Sequence, residues 1–68
     1  MSIFKLHDQR YEVDGKELAR SRTERGYNMS EFAYRCGWTC SYQWQLENDR
    51  VDAVSEATKH VIEGALRG

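Results

Sequence analysis

The sequence of 68 residues lacks proline altogether and has only two cysteines. No apolar run approaches the roughly 18 residues that a membrane-spanning helix needs, and no basic stretch leads into an apolar one as in a secretory leader. Two free cysteines without a leader favour the reducing cytoplasm, and we expect no membrane association. Because no Pro-rich, Ser-rich or repeated segment suggests a linker, we expect one domain over residues 1–68.

Residue sets that support catalysis or metal binding are also missing. We find no Ser/His/Asp set, no paired carboxylates in a pocket and no glycine-rich phosphate loop. Cys36 and Cys40 form a single pair, with only His7 and His60 as further soft ligands, whereas a zinc site needs four ligands. The chain is also too short for a roomy active site that excludes water. We therefore expect neither enzymatic activity nor a metal or cofactor.

The charge of the chain is nearly balanced, with a formal net charge of −1. This value argues mildly against a protein that is held to nucleic acid by bulk electrostatics. The distribution is more informative, because arginine clusters in the central segment 15–50. The same segment contains CGWTCSYQWQLEN, which combines two tryptophans and a tyrosine with small polar residues.

The first thirteen residues have the pattern of a β-hairpin. Phe4 and Leu6, and then Tyr11 and Val13, are two residues apart and flank a polar Asp-Gln pair, as in two half-buried strands joined by a tight turn. All four apolar side chains would lie on one face. The sequence leaves open whether this face packs on a neighbouring subunit, pairs edge to edge with a second copy, or folds onto its own helices.

Capping residues predict where three helices begin and end. Asp14 can cap the first helix, which Gly26 ends. Asn28 repeats the device for a second helix, which ends at Gly37, and Thr39 caps a third helix two residues later. Residues 28–48 are therefore predicted to form helix, tight turn and helix.

A fourth helix is expected to run from near Asp52 or Ser55 to Leu66. Gly64 inside it indicates either close packing or a frayed end. Its buried stripe is predicted to comprise Ala57, Thr58, Val61, Ile62, Ala65 and Leu66.

Two short helices joined by a glycine-containing turn form the geometry of the helix-turn-helix. Residues 15–52 resemble the Cro/repressor (XRE-type) helix-turn-helix family of phage and bacterial transcriptional regulators. The resemblance implies a mostly α, compact four-helix lambda-repressor-like helix-turn-helix domain, preceded by an N-terminal β-hairpin over 1–13. The matching positions are Arg22, Gly26, Asn28, Glu31, Phe32, Ala33, Gly37, Thr39, Gln45, Leu46, Glu47 and Asn48.

The resemblance also implies a structural ion pair between Arg22 in the first helix and Glu47 at the end of the third. Three departures from the family concern the third helix and the segment after it. Gln43 stands where the family buries an aliphatic residue, Asp49 replaces a common glycine, and the proline often found after the motif is absent.

Four side chains of the central segment have competing interpretations. Cys36 falls on the apolar stripe of the second helix and Trp38 at the apolar turn position, so both are expected in the core. Cys40 is expected to face a DNA groove, with a redox switch as the alternative. Trp44 is expected to point outward, where a thymine methyl, a second subunit or another protein could contact it.

The resemblance implies a sequence-specific DNA-binding transcriptional regulator, a dimeric phage- or plasmid-type repressor of double-stranded operator DNA. Base edges would be contacted by Cys40, Ser41, Trp44 and Gln45, with Thr39 beside them. Phosphates would be held by Asn28, the Met29 backbone N–H, Asn48 and Arg50.

A second hypothesis is that the same fold binds a protein instead of DNA. The near-neutral charge, the added hairpin, and Tyr42 and Trp44 on the third helix would also suit a protein-binding module. An antirepressor or an inhibitor of a host enzyme is of this kind.

Overall fold

An antiparallel hairpin begins the part of the chain that the computed structural model describes, residues 2–68. Strand β1 spans Phe4–His7 and β2 spans Arg10–Val13. Asp8 and Gln9 between them have φ angles of 49° and 65°, the left-handed conformation that both central residues of a type I′ turn require. The predicted hairpin is therefore confirmed, with a turn that forms without glycine.

Four helices follow, and together with the hairpin they make a small, mostly helical domain. The helices are α1 at Gly15–Glu24, α2 at Met29–Cys36, α3 at Cys40–Glu47 and α4 at Glu56–Arg67. Each begins after a residue whose side chain accepts a hydrogen bond from a backbone N–H in the first turn, namely Asp14, Asn28, Thr39 and Ser55. Within residues 2–68, no helix has the length and apolar content to cross a membrane.

The core is built from one fully buried apolar side chain on each helix. Leu18, Phe32, Leu46 and Ile62 have no more than 1% of their surface exposed. Val13, Val54 and Ala65 complete this cluster. Burial of such side chains stabilises a domain by about 1.5–3 kcal/mol each, so these few residues hold the four helices together.

The buried stripe of α4 is narrower than the sequence predicted. Ile62 and Ala65 are buried, and Thr58 and Leu66 are half-buried. In contrast, Ala57 is exposed and the Val61 side chain is 40% exposed, so these two predictions are wrong. The stripe is narrow because the main packing partners of α4 are α2 and β2.

The hairpin folds onto its own domain. Tyr11 and Val54 exchange two backbone hydrogen bonds of 2.9 and 2.8 Å, and the Lys59 ammonium lies 5.1 Å from the centroid of the Tyr11 ring. Phe4 and Tyr11 are half-buried and Val13 is buried, whereas Leu6 near the tip is 63% exposed. The register pairs Phe4 with Val13 and Leu6 with Tyr11, so the predicted apolar face is confirmed, and the domain covers three of its four side chains.

The outer edge of β1 is partly occupied by the chain itself. The Ser2 hydroxyl donates to the Phe4 carbonyl oxygen at 2.7 Å and accepts from the Phe4 backbone N–H at 3.3 Å. These are backbone groups that an added strand would need. This arrangement disfavours edge-to-edge pairing of hairpins between two copies.

Substitution by alanine should have opposite effects on stability at two of the glycines. A Cβ at Gly15 would overlap the backbone carbonyl of Glu47, whereas one at Gly64 would meet nothing within 4 Å. We expect Gly15→Ala to destabilise the domain by about 1–3 kcal/mol through overpacking. Gly64→Ala should instead stabilise it by about 1 kcal/mol, because alanine is the better helix former. Urea denaturation of both variants checks this, and equal shifts in the same direction would contradict it.

Candidate nucleic-acid interface

Helix α3 presents a polar stripe to solvent. Its opposite side is fixed in the core by Leu46 and Glu47, and the 3.6-residue period therefore directs positions 40, 41, 44 and 45 outward. Cys40, Ser41 and Gln45 are exposed, and the Trp44 side chain is 45% exposed. All four residues predicted to face base edges thus lie on one accessible surface. Thr39 is also exposed, at the start of the same helix.

The N-terminal ends of α2 and α3 lie side by side. The Ser30 hydroxyl donates to the Cys40 sulfur at 3.5 Å, which joins the first turns of the two helices. Among the described residues, the backbone N–H groups of Met29, Ser30, Cys40 and Ser41 have no hydrogen-bond partner. Unpaired N–H groups at helix N-termini favour anions. The contact between Ser30 and Cys40 therefore brings two anion-favouring helix ends next to each other.

The backbone N–H of Asn28, a residue predicted to hold a phosphate, is already used within the domain. Its N–H donates to the Glu31 carboxylate at 2.9 Å, and its side-chain oxygen accepts from the Glu31 N–H at 2.8 Å. This is a complete capping box. A phosphate could therefore bind the Asn28 side-chain NH2 group, or the Met29 N–H, but not the Asn28 backbone.

A buried ion pair fixes α3 to α1. The Arg22 guanidinium donates to both carboxylate oxygens of Glu47, at 2.7 and 2.9 Å, and also to the Tyr27 carbonyl oxygen at 2.8 Å. Both side chains are almost completely buried. The hydrogen bond to Glu47 raises the pKa of Arg22, which keeps the guanidinium charged. The structure thus brings together the two residues predicted to form a structural pair.

Gln43 extends this pair into the turn before α3. Its side-chain NH2 donates to Glu47 at 2.7 Å, and its side-chain oxygen accepts from the Trp38 indole N–H at 2.9 Å. Gln43 is fully buried, at a position where the resemblance to Cro/repressor proteins predicts an aliphatic residue. The departure is accommodated because every polar atom of the Gln43 amide that faces the core finds a partner.

The segment after α3 folds back onto the helix. The Asn48 side chain donates to the Trp44 carbonyl oxygen at 2.8 Å, and the Arg50 backbone N–H donates to the Gln45 carbonyl oxygen at 2.9 Å. The Arg50 guanidinium carbon then lies 5.6 Å from the centroid of the Trp44 ring. Asp49 takes the left-handed φ of 56° that suits the family's glycine, and its carboxylate accepts from the Gly15 N–H.

Most arginines of the central segment are engaged away from α3. Arg20 pairs with Glu17 and Glu24 on α1. Arg25 donates to the Leu66 carbonyl oxygen at the end of α4, and Arg35 lies over the Tyr27 ring. The clustering of arginine in the sequence therefore does not produce a basic surface around α3.

The two tryptophans and Tyr42 divide between core and surface. Trp38 is half-buried against the core, and the Tyr42 ring meets it edge to face at a centroid distance of 5.2 Å. Tyr42 is therefore largely used inside the domain, which weakens its predicted role as a protein contact. Trp44 points outward as predicted.

The cysteines also differ in environment. Cys36 is half-buried against the core rather than fully inside it, and Cys40 is exposed. Burial raises the pKa of the Cys36 thiol to about 11. Within residues 2–68, no three His, Cys, Asp or Glu side chains are grouped so that they could hold a metal ion.

Two members of the site were missed from the sequence. Ser30 is not among the predicted residues, although the capping box at Asn28 places it in the first turn of α2, where it is exposed. The bond between Gln43 and Glu47 has a sequence signal in their four-residue spacing, which makes them neighbours on a helix. The bond from Trp38 has no such signal, because it depends on the path of the turn.

Comparison with known proteins adds no assignment. No protein-family model, no curated protein and no solved structure matches this chain. Function has to be inferred from the geometry of the chain itself.

The buried ion pair predicts a large effect of one substitution. Glu47→Ala leaves the Arg22 guanidinium buried without its counter-charge, which typically costs about 3–5 kcal/mol. A domain has only about 5–15 kcal/mol in all, so we expect the variant to be largely unfolded at 37 °C. The matched control is Glu24→Ala, which removes an exposed partner of Arg20. Thermal melting followed by circular dichroism compares the two, and equal midpoints would show that the buried pair contributes nothing special.

Thiol reactivity should separate the two cysteines. With a pKa near 11, only about one Cys36 thiol in a thousand is ionised at pH 8, and the thiolate is the reactive form. We expect iodoacetamide at pH 8 to modify Cys40 in the folded protein and both cysteines in urea. Mass spectrometry of the peptides checks this expectation. Equal modification of Cys36 and Cys40 in the folded protein would contradict it.

Proposed function

We propose that this protein is a sequence-specific DNA-binding transcriptional regulator, a dimeric phage- or plasmid-type repressor of the helix-turn-helix class. The observation that supports it best is the exposed polar stripe on α3 beside two adjoining helix N-termini with unpaired N–H groups. The stripe supplies side chains for base edges, and the N–H groups supply donors for phosphates. The two kinds of contact that a DNA reader needs therefore lie next to each other.

The connection between α2 and α3 supports the helix-turn-helix interpretation. Gly37 has a left-handed φ of 85°, and its N–H donates to the Ala33 carbonyl oxygen, so α2 ends in a sharp turn. Only Trp38 and Thr39 separate that glycine from α3. An α-helix fits the major groove, which is about 12 Å wide. In the proposal α3 enters the groove and the start of α2 lies against the DNA backbone.

Individual side chains then have distinct roles. Gln45 can bond bidentately to adenine, and Ser41 can donate to or accept from either base. Cys40 and Thr39 lie at the helix start, where the groove floor and the backbone meet. The Met29 N–H, the Asn28 and Asn48 side chains and Arg50 contact phosphates, which position the protein without specifying sequence.

A dimer completes the proposal. Two-fold symmetric helix-turn-helix proteins place their recognition helices one DNA turn apart, about 34–36 Å. A single protomer with eight residues in α3 contacts only a few base pairs, so a second copy is needed for a site of useful length. The operator would be a palindrome, bound in the cytoplasm.

One observation favours a second candidate, a protein-binding module. The surface carries one cation, Arg50 beside Trp44, and one carboxylate, Glu31 at the start of α2, so it is not strongly basic. A neutral surface with an exposed tryptophan is also suited to a protein partner. An antirepressor or a host-enzyme inhibitor would use it.

Selection from a library of random DNA duplexes tests the proposal directly. The protein is incubated with the library at 50 mM salt, and bound duplexes are amplified and sequenced over several rounds. Enrichment of a palindrome, followed by mobility shifts on that site and on a scrambled duplex, would support DNA binding. No enrichment at low salt would overturn it in favour of the protein-binding module.

The roles of Gln45 and Arg50 make opposite predictions on the selected site. Gln45→Ala should cost about 1–3 kcal/mol on that site and relax the preference at one base position, because it removes a base contact. Arg50→Ala should weaken binding to every sequence alike and flatten the dependence on salt, because it removes a phosphate contact. Fluorescence anisotropy on selected and scrambled duplexes measures both. Equal losses by Gln45→Ala on the two duplexes would contradict its assignment.

A further inference from the structure

Trp44 lies to one side of the exposed surface of α3 rather than directly opposite its buried side. Successive residues of an α-helix are about 100° apart, so Ser41 and Gln45 point most directly away from the buried side that Gln43, Leu46 and Glu47 form together. Cys40 and Trp44, four residues apart, lie together on one flank of them. In a helix docked in the major groove, the flank faces the sugar-phosphate walls, whereas the middle faces the base edges.

Arg50 is held at this same flank. Its backbone bonds to Gln45, and its guanidinium lies over the Trp44 ring. Among the described residues, no carboxylate lies within salt-bridge distance of Arg50, in contrast to Arg20, Arg22 and Lys59. Arg50 therefore provides a positive charge at the candidate interface that is not directly paired with a carboxylate.

We propose that Trp44 is a positioning residue for Arg50, and that the two side chains form one phosphate-binding unit. The inference rests on the proposed function and assigns the exposed indole a role there. The indole holds the guanidinium at the wall of the groove, where a phosphate of the operator passes. Trp44 thus supports affinity and does not itself select a base.

A guanidinium held over an aromatic ring remains able to bind a phosphate. Arginine stacks on an aromatic ring through its flat face, and its N–H donors lie in the plane and stay free for a bidentate contact with phosphate. A flexible arginine loses rotamer freedom when it binds, and prior stacking removes part of that loss. The Asn48 bond to the Trp44 carbonyl oxygen restrains the same turn.

The alternative role of Trp44 makes a different prediction. If the indole contacted a thymine methyl, its removal would change which base is preferred and leave the salt dependence intact. If it positions Arg50, its removal should flatten the salt dependence and leave the preferred sequence intact.

A double-mutant cycle on the selected duplex tests the unit. Wild type, Trp44→Ala, Arg50→Ala and the double variant are measured by anisotropy from 50 to 200 mM salt. We expect about a tenfold loss of affinity at 100 mM salt in each single variant and no further loss in the double variant. In each, the slope of log K against log salt should fall by about 0.9 per protomer, since one phosphate contact is lost.

Trp44→Phe and Tyr34→Ala serve as matched controls. Trp44→Phe keeps an aromatic ring and should restore most of the affinity and the slope. Tyr34 is another exposed aromatic residue, 87% exposed on α2. Its removal should change neither the affinity for the duplex nor the salt slope. In the free protein, NMR should show the Arg50 side-chain N–H shifted by the ring in wild type and Trp44→Phe, but not in Trp44→Ala.

The outcomes separate this inference from the proposed function. Additive losses in the double variant, a wild-type salt slope in Trp44→Ala, or an altered base preference would each overturn the inference and leave DNA binding standing. Absence of specific DNA binding by the wild-type protein would overturn the proposed function and this inference together. An unchanged melting temperature of Trp44→Ala confirms that the comparison is made on folded protein.

Discussion

The buried carboxylate of Glu47 is the constraint on which the rest of the structure depends. It accepts hydrogen bonds from Arg22 on α1 and from Gln43 on α3 itself, and Gln43 in turn accepts from Trp38 in the turn. A buried charge is tolerable only when its partners are in place, so this network permits one arrangement of α1, the turn and α3. Apolar packing alone would allow α3 to rotate or slide more freely.

The fixed orientation of α3 determines what the domain offers to a partner. Because Gln43, Leu46 and Glu47 must face inward, Ser41 and Gln45 must face outward. Ser30 meets Cys40 at the start of the same helix, and this contact joins the first turns of α2 and α3. The exposed polar stripe and the unpaired N–H groups therefore follow from the packing and hydrogen bonding of the buried residues of α3.

The balanced charge of the chain gives the proposed interface an unusual character. Most of the cations are used within the domain, to neutralise carboxylates, to bond helix carbonyls or to lie over aromatic rings. A surface of this kind binds DNA weakly through bulk electrostatics, so its affinity would have to come from well-positioned contacts. Helix N-termini and an arginine held over a ring would be such contacts, because both are oriented before the partner arrives.

The sequence by itself determined the local structure of this protein. Caps at Asp14, Asn28 and Thr39 and the left-handed Gly37 act on neighbouring backbone groups, so they are visible without knowledge of the fold. Only the tertiary structure decided which side chains meet across the chain. Examples are the burial of Gln43, the exposure of Val61, the docking of the hairpin and the position of Arg50 over Trp44. These depend on contacts between elements and on the path of turns, which sequence spacing does not specify.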